Sequence, residues 1–154
     1  MPRITEFALL SRPMQHTLAI SREVTGPEDL PGLIGGGFQK LGDYLDSLGE
    51  LMTDNPYVAY SGEDGPGFSV EVGFTVLGQF PDKGEIKAGV IPAGRVVSCM
   101  YLGAYEEVTA VYQEMTAWAA AGGLGGCGIV YEYYYNGPDN PVDDYLTRIV
   151  MPVL

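Results

Sequence analysis

The sequence predicts an α+β fold, an antiparallel sheet carrying two helices, built from one strand-helix-strand-strand unit used twice. Two amphipathic stripes at helical spacing each lie between strand-like runs. The order strand, helix, strand, strand over residues 17–77 recurs over residues 95–153. Within that repeat, Phe74-Thr75-Val76 takes the place of Met151-Pro152-Val153, which sets Glu71 opposite Arg148. Residues 1–154 then form one domain with two pseudo-symmetric halves, about 1–80 and 86–154.

The first half opens with strand at residues 4–10 and 17–21, interrupted near Arg12-Pro13, with Leu18 and Ile20 sharing a face. In the loop REVTGPEDLPGL, acidic residues precede Pro31, a helix start signal. Ile34, Phe38, Leu41, Leu45, Leu48 and Met52 then step by three and four, the apolar stripe of a helix that stops at Thr53-Asp54-Asn55-Pro56. Gly35-Gly36-Gly37 in its first turns costs about 1 kcal/mol per glycine relative to Ala. Close packing on a sheet, a late helix start, or room for a ligand would each account for it. A short strand at 57–60, the turn-rich SGEDGPG and a strand over FSVEVGFTVL complete this half.

After the turn FPDKGE come a short strand at 86–91, the reversal Pro92-Ala93-Gly94 and the strand RVVSCMYL. Gly103 punctuates before a helix over 105–121. Its Val108, Val111, Tyr112, Met115, Trp118 and Ala119 share a face, and Glu106 and Glu107 suit its N-terminal dipole. GGLGGCG follows a helix instead of opening one and lacks Gly-Lys-Ser/Thr, so it reads as a C-cap and connection, not a phosphate loop. Two final strands flank a Pro/Asp/Asn-rich turn. Asp139, Asp143 and Asp144 in that turn have no EF-hand spacing.

Composition narrows the function. With 154 residues, 46% hydrophobic and 18% charged, the chain is globular and long enough for a real core. No apolar run reaches the roughly 18 residues of a membrane span, and MPRITEFALLSRP lacks a signal-peptide core. The expectation is a cytoplasmic chain with no membrane partner. Net charge is −12, from 20 acidic and 8 basic residues. That balance argues against direct nucleic-acid binding; it accepts cationic ligands or basic partners, though its commonest meaning is solubility. Cys99 and Cys127 have no CxxC spacing and read as free thiols. The single histidine, His16, rules out a His-rich zinc site and makes a Ser-His-Asp arrangement implausible. No metal or cofactor is expected.

One local pattern carries chemistry. Tyr131-Glu132-Tyr133-Tyr134-Tyr135 puts a carboxylate inside an aromatic strand, where burial is costly without a partner. Strand alternation sets Glu132 and Tyr134 on one face and Tyr131, Tyr133 and Tyr135 on the other. Glu132 would face solvent, pair with Arg148, or serve a ligand.

The segment Tyr101-Leu102-Gly103-Ala104-Tyr105-Glu106-Glu107 resembles the "YxGxYEEL" approach to the second helix in GyrI-like small-molecule-binding domains, the effector-binding half of AraC- and MerR-type multidrug regulators. EVGFTV at 71–76 and the ending Tyr131-Glu132, Asn136-Gly137-Pro138, Thr147-Arg148-Ile149 and Pro152-Val153 are similar to that family as well, so the resemblance spans nearly the whole chain. It implies the tandem strand-helix-strand-strand (SHS2) fold, with a cleft between the halves for amphipathic, often cationic, drug-like molecules. The sequence shows no helix-turn-helix, which puts transcription control by this chain alone in doubt.

By the resemblance, Glu132 aligns with the pocket acid that such domains present to ligand cations, attracting them by charge while aromatic neighbours add cation–π contact. Tyr134 is the companion that alternation nominates. Tyr101, Trp118, Phe38, Tyr60 and Phe74 are further wall candidates, with core packing an equal account of Trp118. Glu71 is a second acid or the partner of a basic residue. Three functions follow from the resemblance: stand-alone binding or sensing of an amphipathic compound; hydrolysis of reactive natural products, with Glu132 as general base and Tyr134 or Tyr101 orienting water or substrate; or docking on a protein partner, DNA gyrase or a regulator.

Overall fold

The computed structural model describes residues 3–62 and 67–154; part of the expected SGEDGPG turn lies outside the described residues. The described chain forms two compact units.

The unit Pro13–Ala93 contains β3 (Gln15–Val24), α1 (Leu30–Leu48), β4 (Tyr57–Ser61), β5 (Phe68–Val76) and β6 (Lys87–Ile91). Its strands are antiparallel in the order β4-β5-β3-β6. Val70, Val72, Phe74 and Val76 alternate along β5 toward α1, as the period of two requires, and are buried. Gly37 of α1 lies so close to β5 that a Cβ would stand 3.0 Å from Val72, whereas at Gly35 and Gly36 it would meet nothing within 4 Å. Close helix–sheet packing therefore accounts for the third glycine of the triplet.

Helix α1 ends a turn earlier than its apolar stripe predicts. Gly49 adopts φ 69°, its N–H reaches Asp46 O, and Glu50 N–H reaches Leu45 O. This 6→1 and 5→2 pair is a Schellman cap, which satisfies the terminal carbonyls and leaves Leu51 and Met52 exposed.

The other unit joins the described part of Met1–Arg12 to Gly94–Leu154. It contains β1 (Arg3–Ile4), β2 (Ala8–Arg12), β7 (Gly94–Leu102), α2 (Val108–Ala121), β8 (Ile129–Tyr134) and β9 (Leu146–Pro152). A 3-10 turn over Tyr105–Glu107 leads into α2. β1 and β2 pair with β7, which continues antiparallel to β9 and then β8. Val97, Cys99, Tyr101, Ile149 and Met151 pack against Val111, Met115 and Ala119 of α2.

Strand pairing sets the unit boundaries at residues 12/13 and 93/94. Residues 3–12 belong with the second repeat, because their hydrogen bonds run to β7; residues 87–91 belong with the first, because β6 pairs with β3. Both pairings join segments remote in sequence, which local pattern does not encode. The repeat itself has the expected order, β3-α1-β4-β5 and β7-α2-β8-β9, and the fold is α+β with two helix-backed antiparallel arrays.

No helix of the described chain is long and apolar enough to cross a membrane.

Candidate functional site

Glu132 sits mid-strand in β8, opposite Ile149 of β9, and points to the face covered by α2. It is 4% exposed. Two phenols engage its carboxylate: Tyr112 of α2 donates to Oε2, and Tyr134, two residues along β8, donates to Oε1 at 2.8 Å. Tyr112 reaches the strand because it flanks the buried stripe Val111-Met115-Ala119. Tyr134 reaches it because residues i and i+2 share a strand face.

More aromatics enclose this pair. Tyr105, in the 3-10 turn, meets the Tyr134 ring edge-on at 5.6 Å and stacks on Tyr145 at 4.9 Å. Tyr145 is brought back by the turn between β8 and β9. There Asn136 Nδ2 donates to Asp144 O at 2.7 Å, and its Oδ1 accepts from Leu146 N–H at 2.8 Å. Tyr101, fully buried on β7, donates its hydroxyl to Ala104 O. The Gly103 backbone (φ 148°) is close by: a Cβ there would lie 3.1 Å from that hydroxyl oxygen. A shallow groove of about 400 Å³ runs along α2 and is lined by Tyr112, Thr116 and Ala120 among others.

Burial drives the Glu132 carboxyl above the ordinary glutamate range, against the opposing hydrogen bonds from Tyr112 and Tyr134. Burial, then Tyr145 and Glu132, push the Tyr105 phenol up to about 12. Tyr101 is raised by burial, then by Glu107, Glu106 and Glu132. Both phenols therefore remain protonated at neutral pH. The result is one acid ringed by aromatic groups, and among the described residues no ion pair to it is present.

The opposite face of β8 has a different character. Arg148 lies over the Tyr133 ring at 4.2 Å and donates to Tyr135 Oη at 3.2 Å, while Arg12 lies over Tyr131 at 4.7 Å. The alternation expected of this strand holds: Glu132 and Tyr134 share one face, and Tyr131 and Tyr133 the other. An ion pair between Glu132 and Arg148 is excluded, because the sheet separates them.

A sequence profile of the GyrI-like small molecule binding domain matches residues 6–154. The chain belongs to this family. Comparison with curated proteins gives no match.

Among solved structures, this GyrI-like domain is similar to the EcmrR C-terminal domain, with TM-score 0.83 and 21% identity over 97% of each chain. It is likewise similar to EcmrR as seen in a complex with DNA (TM-score 0.82, 21% identity over 96% of this chain), and spans only 57% of that EcmrR chain. It is also similar to SAV2435 bound to tetraphenylphosphonium (TM-score 0.63, 15% identity, 97% of this chain and 94% of that one). A hydrolase from Listeria innocua is more distant in identity (TM-score 0.65, 14%, 97% and 92%). These likenesses establish the fold.

The GyrI-like fold brings three of the residues nominated from sequence, Glu132, Tyr134 and Tyr101, onto one face of one unit. Trp118 is not with them. It is 41% exposed and tilts against Phe7 at 5.9 Å, on a different side of α2 from Tyr112. Phe38, Tyr60, Phe74 and Glu71 belong to the other unit. There Phe38 stacks on Phe74 at 5.9 Å between α1 and β5, and Tyr60 tilts against Phe68. Glu71 accepts a hydrogen bond from Tyr57 at 2.6 Å on the β5 face away from α1, and among the described residues it has no ion pair to a basic residue.

Sequence reasoning did not nominate Tyr112, Tyr105 or Tyr145. Tyr112 was visible on the helical stripe but indistinguishable there from core. Carrying the repeat alignment through the strand registers makes Val58 the counterpart of Glu132 and Tyr60 that of Tyr134. Val58 is fully buried apolar packing. The second repeat thus has an acid where the first has a valine, and that asymmetry is a signal the sequence contained.

Proposed function

We propose that this GyrI-like domain binds an amphipathic organic cation, with Glu132 as its charged anchor and Tyr112, Tyr134 and Tyr105 as its aromatic surround. A buried carboxylate that accepts from two phenols and, among the described residues, has no ion pair supports the reading most directly. Desolvation makes the bare anion costly, and a delocalised cation placed beside it restores the lost charge compensation in a low-dielectric setting. Aromatic faces add about 0.5–2 kcal/mol of cation–π attraction each. Tyr112 lines the α2 groove as well as bonding the carboxylate. The similarity to SAV2435, whose structure holds tetraphenylphosphonium, fits this ligand class.

Titration of the purified protein with tetraphenylphosphonium tests the reading. Glu132→Gln keeps the shape and removes the charge, and is expected to weaken binding about tenfold or more. Equal affinity in the variant would remove Glu132 as the anchor.

A hydrolytic reading draws on the upward displacement of the Glu132 carboxyl, the direction that suits a general base working near neutral pH. It requires turnover of an electrophilic substrate that is lost in Glu132→Gln. Identical product yields from the two proteins would end it.

A further inference from the structure

Thr147 of β9 is 1% exposed, and its Oγ1 has no hydrogen-bond partner among the described residues. Native proteins rarely bury a hydroxyl without a partner, because it loses its hydration and gains nothing in return. The position makes the omission informative. Thr147 faces α2 on the same side as Glu132, directly between Tyr101 on β7 and Tyr134 on β8 in the strand register. Neither neighbouring phenol serves it: Tyr101 donates to Ala104 O, and Tyr134 donates to Glu132. A valine would fill the same volume on a strand at no polar cost.

We propose that Thr147 Oγ1 is a second polar anchor of the Glu132 site, hydrogen-bonding an uncharged oxygen or nitrogen of the ligand while Glu132 holds its cationic centre. The inference rests on the cation reading of Glu132 and sharpens it. Thr147 is diagonal to Glu132 across the β8–β9 pair, and such neighbours are separated by about 7–8 Å. The ligand class is therefore an amphipathic cation carrying a hydroxyl, carbonyl or amine a short spacer away from its charge. The Thr147 hydroxyl both donates and accepts, so it serves any of these. Tyr134, between the two anchors, supplies the aromatic contact for the spacer.

A matched pair of probes isolates the hydroxyl: hydroxypropyl-triphenylphosphonium and n-butyl-triphenylphosphonium have the same charge and nearly the same shape. The wild-type protein is expected to prefer the hydroxylated cation about five- to tenfold, the range of one good hydrogen bond. Thr147→Val should abolish that preference while leaving n-butyl affinity within about twofold, and Thr147→Ser should restore it. The melting midpoint of ligand-free Thr147→Val is expected to equal or exceed that of wild type, since no existing bond is lost. A wild-type protein indifferent to the two probes, an unchanged preference in Thr147→Val, or a lowered midpoint in that variant would each overturn the proposal. Glu132→Gln reads the underlying assignment separately: it should weaken both cations alike, and undiminished binding there defeats the cation reading while the probe preference still reports on Thr147.

Discussion

Tyr112 of α2 donates its phenolic proton to Glu132 of β8, tying the helix to the strand through a buried carboxylate. Together with the bond from Tyr134, this contact opposes the effect of burial on Glu132. Tyr112→Phe and Tyr134→Phe each remove a donor that favours the anion, so each should drive the carboxyl further upward. Binding of a permanently charged cation strengthens as Glu132 ionises. The pH profile of tetraphenylphosphonium affinity is therefore expected to move to higher pH in each variant, and further in the double variant. Superimposable profiles would show that the phenols do not set the charge state.

The same carboxyl links stability to pH. Its folded-state value is raised, so the fold favours the protonated form. The resulting stabilisation is fully present below the unfolded-state value of about 4.3 and is lost as the pH rises through the folded value. Glu132→Gln has no such loss. Its melting midpoint is expected to match that of wild type near pH 4 and to exceed it at pH 8, by about 2–4 °C for each kcal/mol of relief. Parallel melting curves across that range would contradict the burial of a strained acid.

The glycine triplet gives opposite expectations at adjacent positions. At Gly36 an added methyl meets nothing, so Gly36→Ala should stabilise by about 0.5–1 kcal/mol through helix propensity. At Gly37 the methyl stands 3.0 Å from Val72, so Gly37→Ala must shift α1 or rotate that valine and should lose at least the propensity gain. Chemical denaturation of both variants provides the comparison. An equal gain at both sites would mean that α1 does not pack tightly on β5.

The two thiols are expected to differ in reactivity. Burial, with a smaller contribution from Glu114, pushes Cys99 up to about 11, while Cys127 is exposed. At pH 8 iodoacetamide should modify Cys127 within minutes and leave Cys99 intact until the protein unfolds, because the thiolate is the reacting species. Mass spectrometry of the labelled peptides reads the result. Early labelling of Cys99 would contradict its place between α2 and the sheet.

Much of this arrangement was legible in the chain. The 3.6-residue stripes place α1 and α2, the period of two separates Glu132 and Tyr134 from Tyr131 and Tyr133, and the order of elements shows the repeat. These are local signals, because side-chain direction follows from backbone period. Trp118 shows where such signals stop. It lies near the edge of the α2 stripe, where period alone leaves open whether a side chain meets core, ligand or solvent, and the fold packs it against Phe7.

By itself, the sequence determined the α+β repeat, the family and the unusual acid at position 132. Tertiary structure alone decided that β1 and β2 complete β7, and that Tyr112, Tyr105 and Tyr145 gather near Glu132. It also decided that the Thr147 hydroxyl beside them is buried without a partner among the described residues. The physical reason is the same throughout: a pairing register, or a hydrogen bond between residues 20 apart, depends on how segments dock. Docking is fixed by the summed burial of whole faces, which no single stretch of sequence contains.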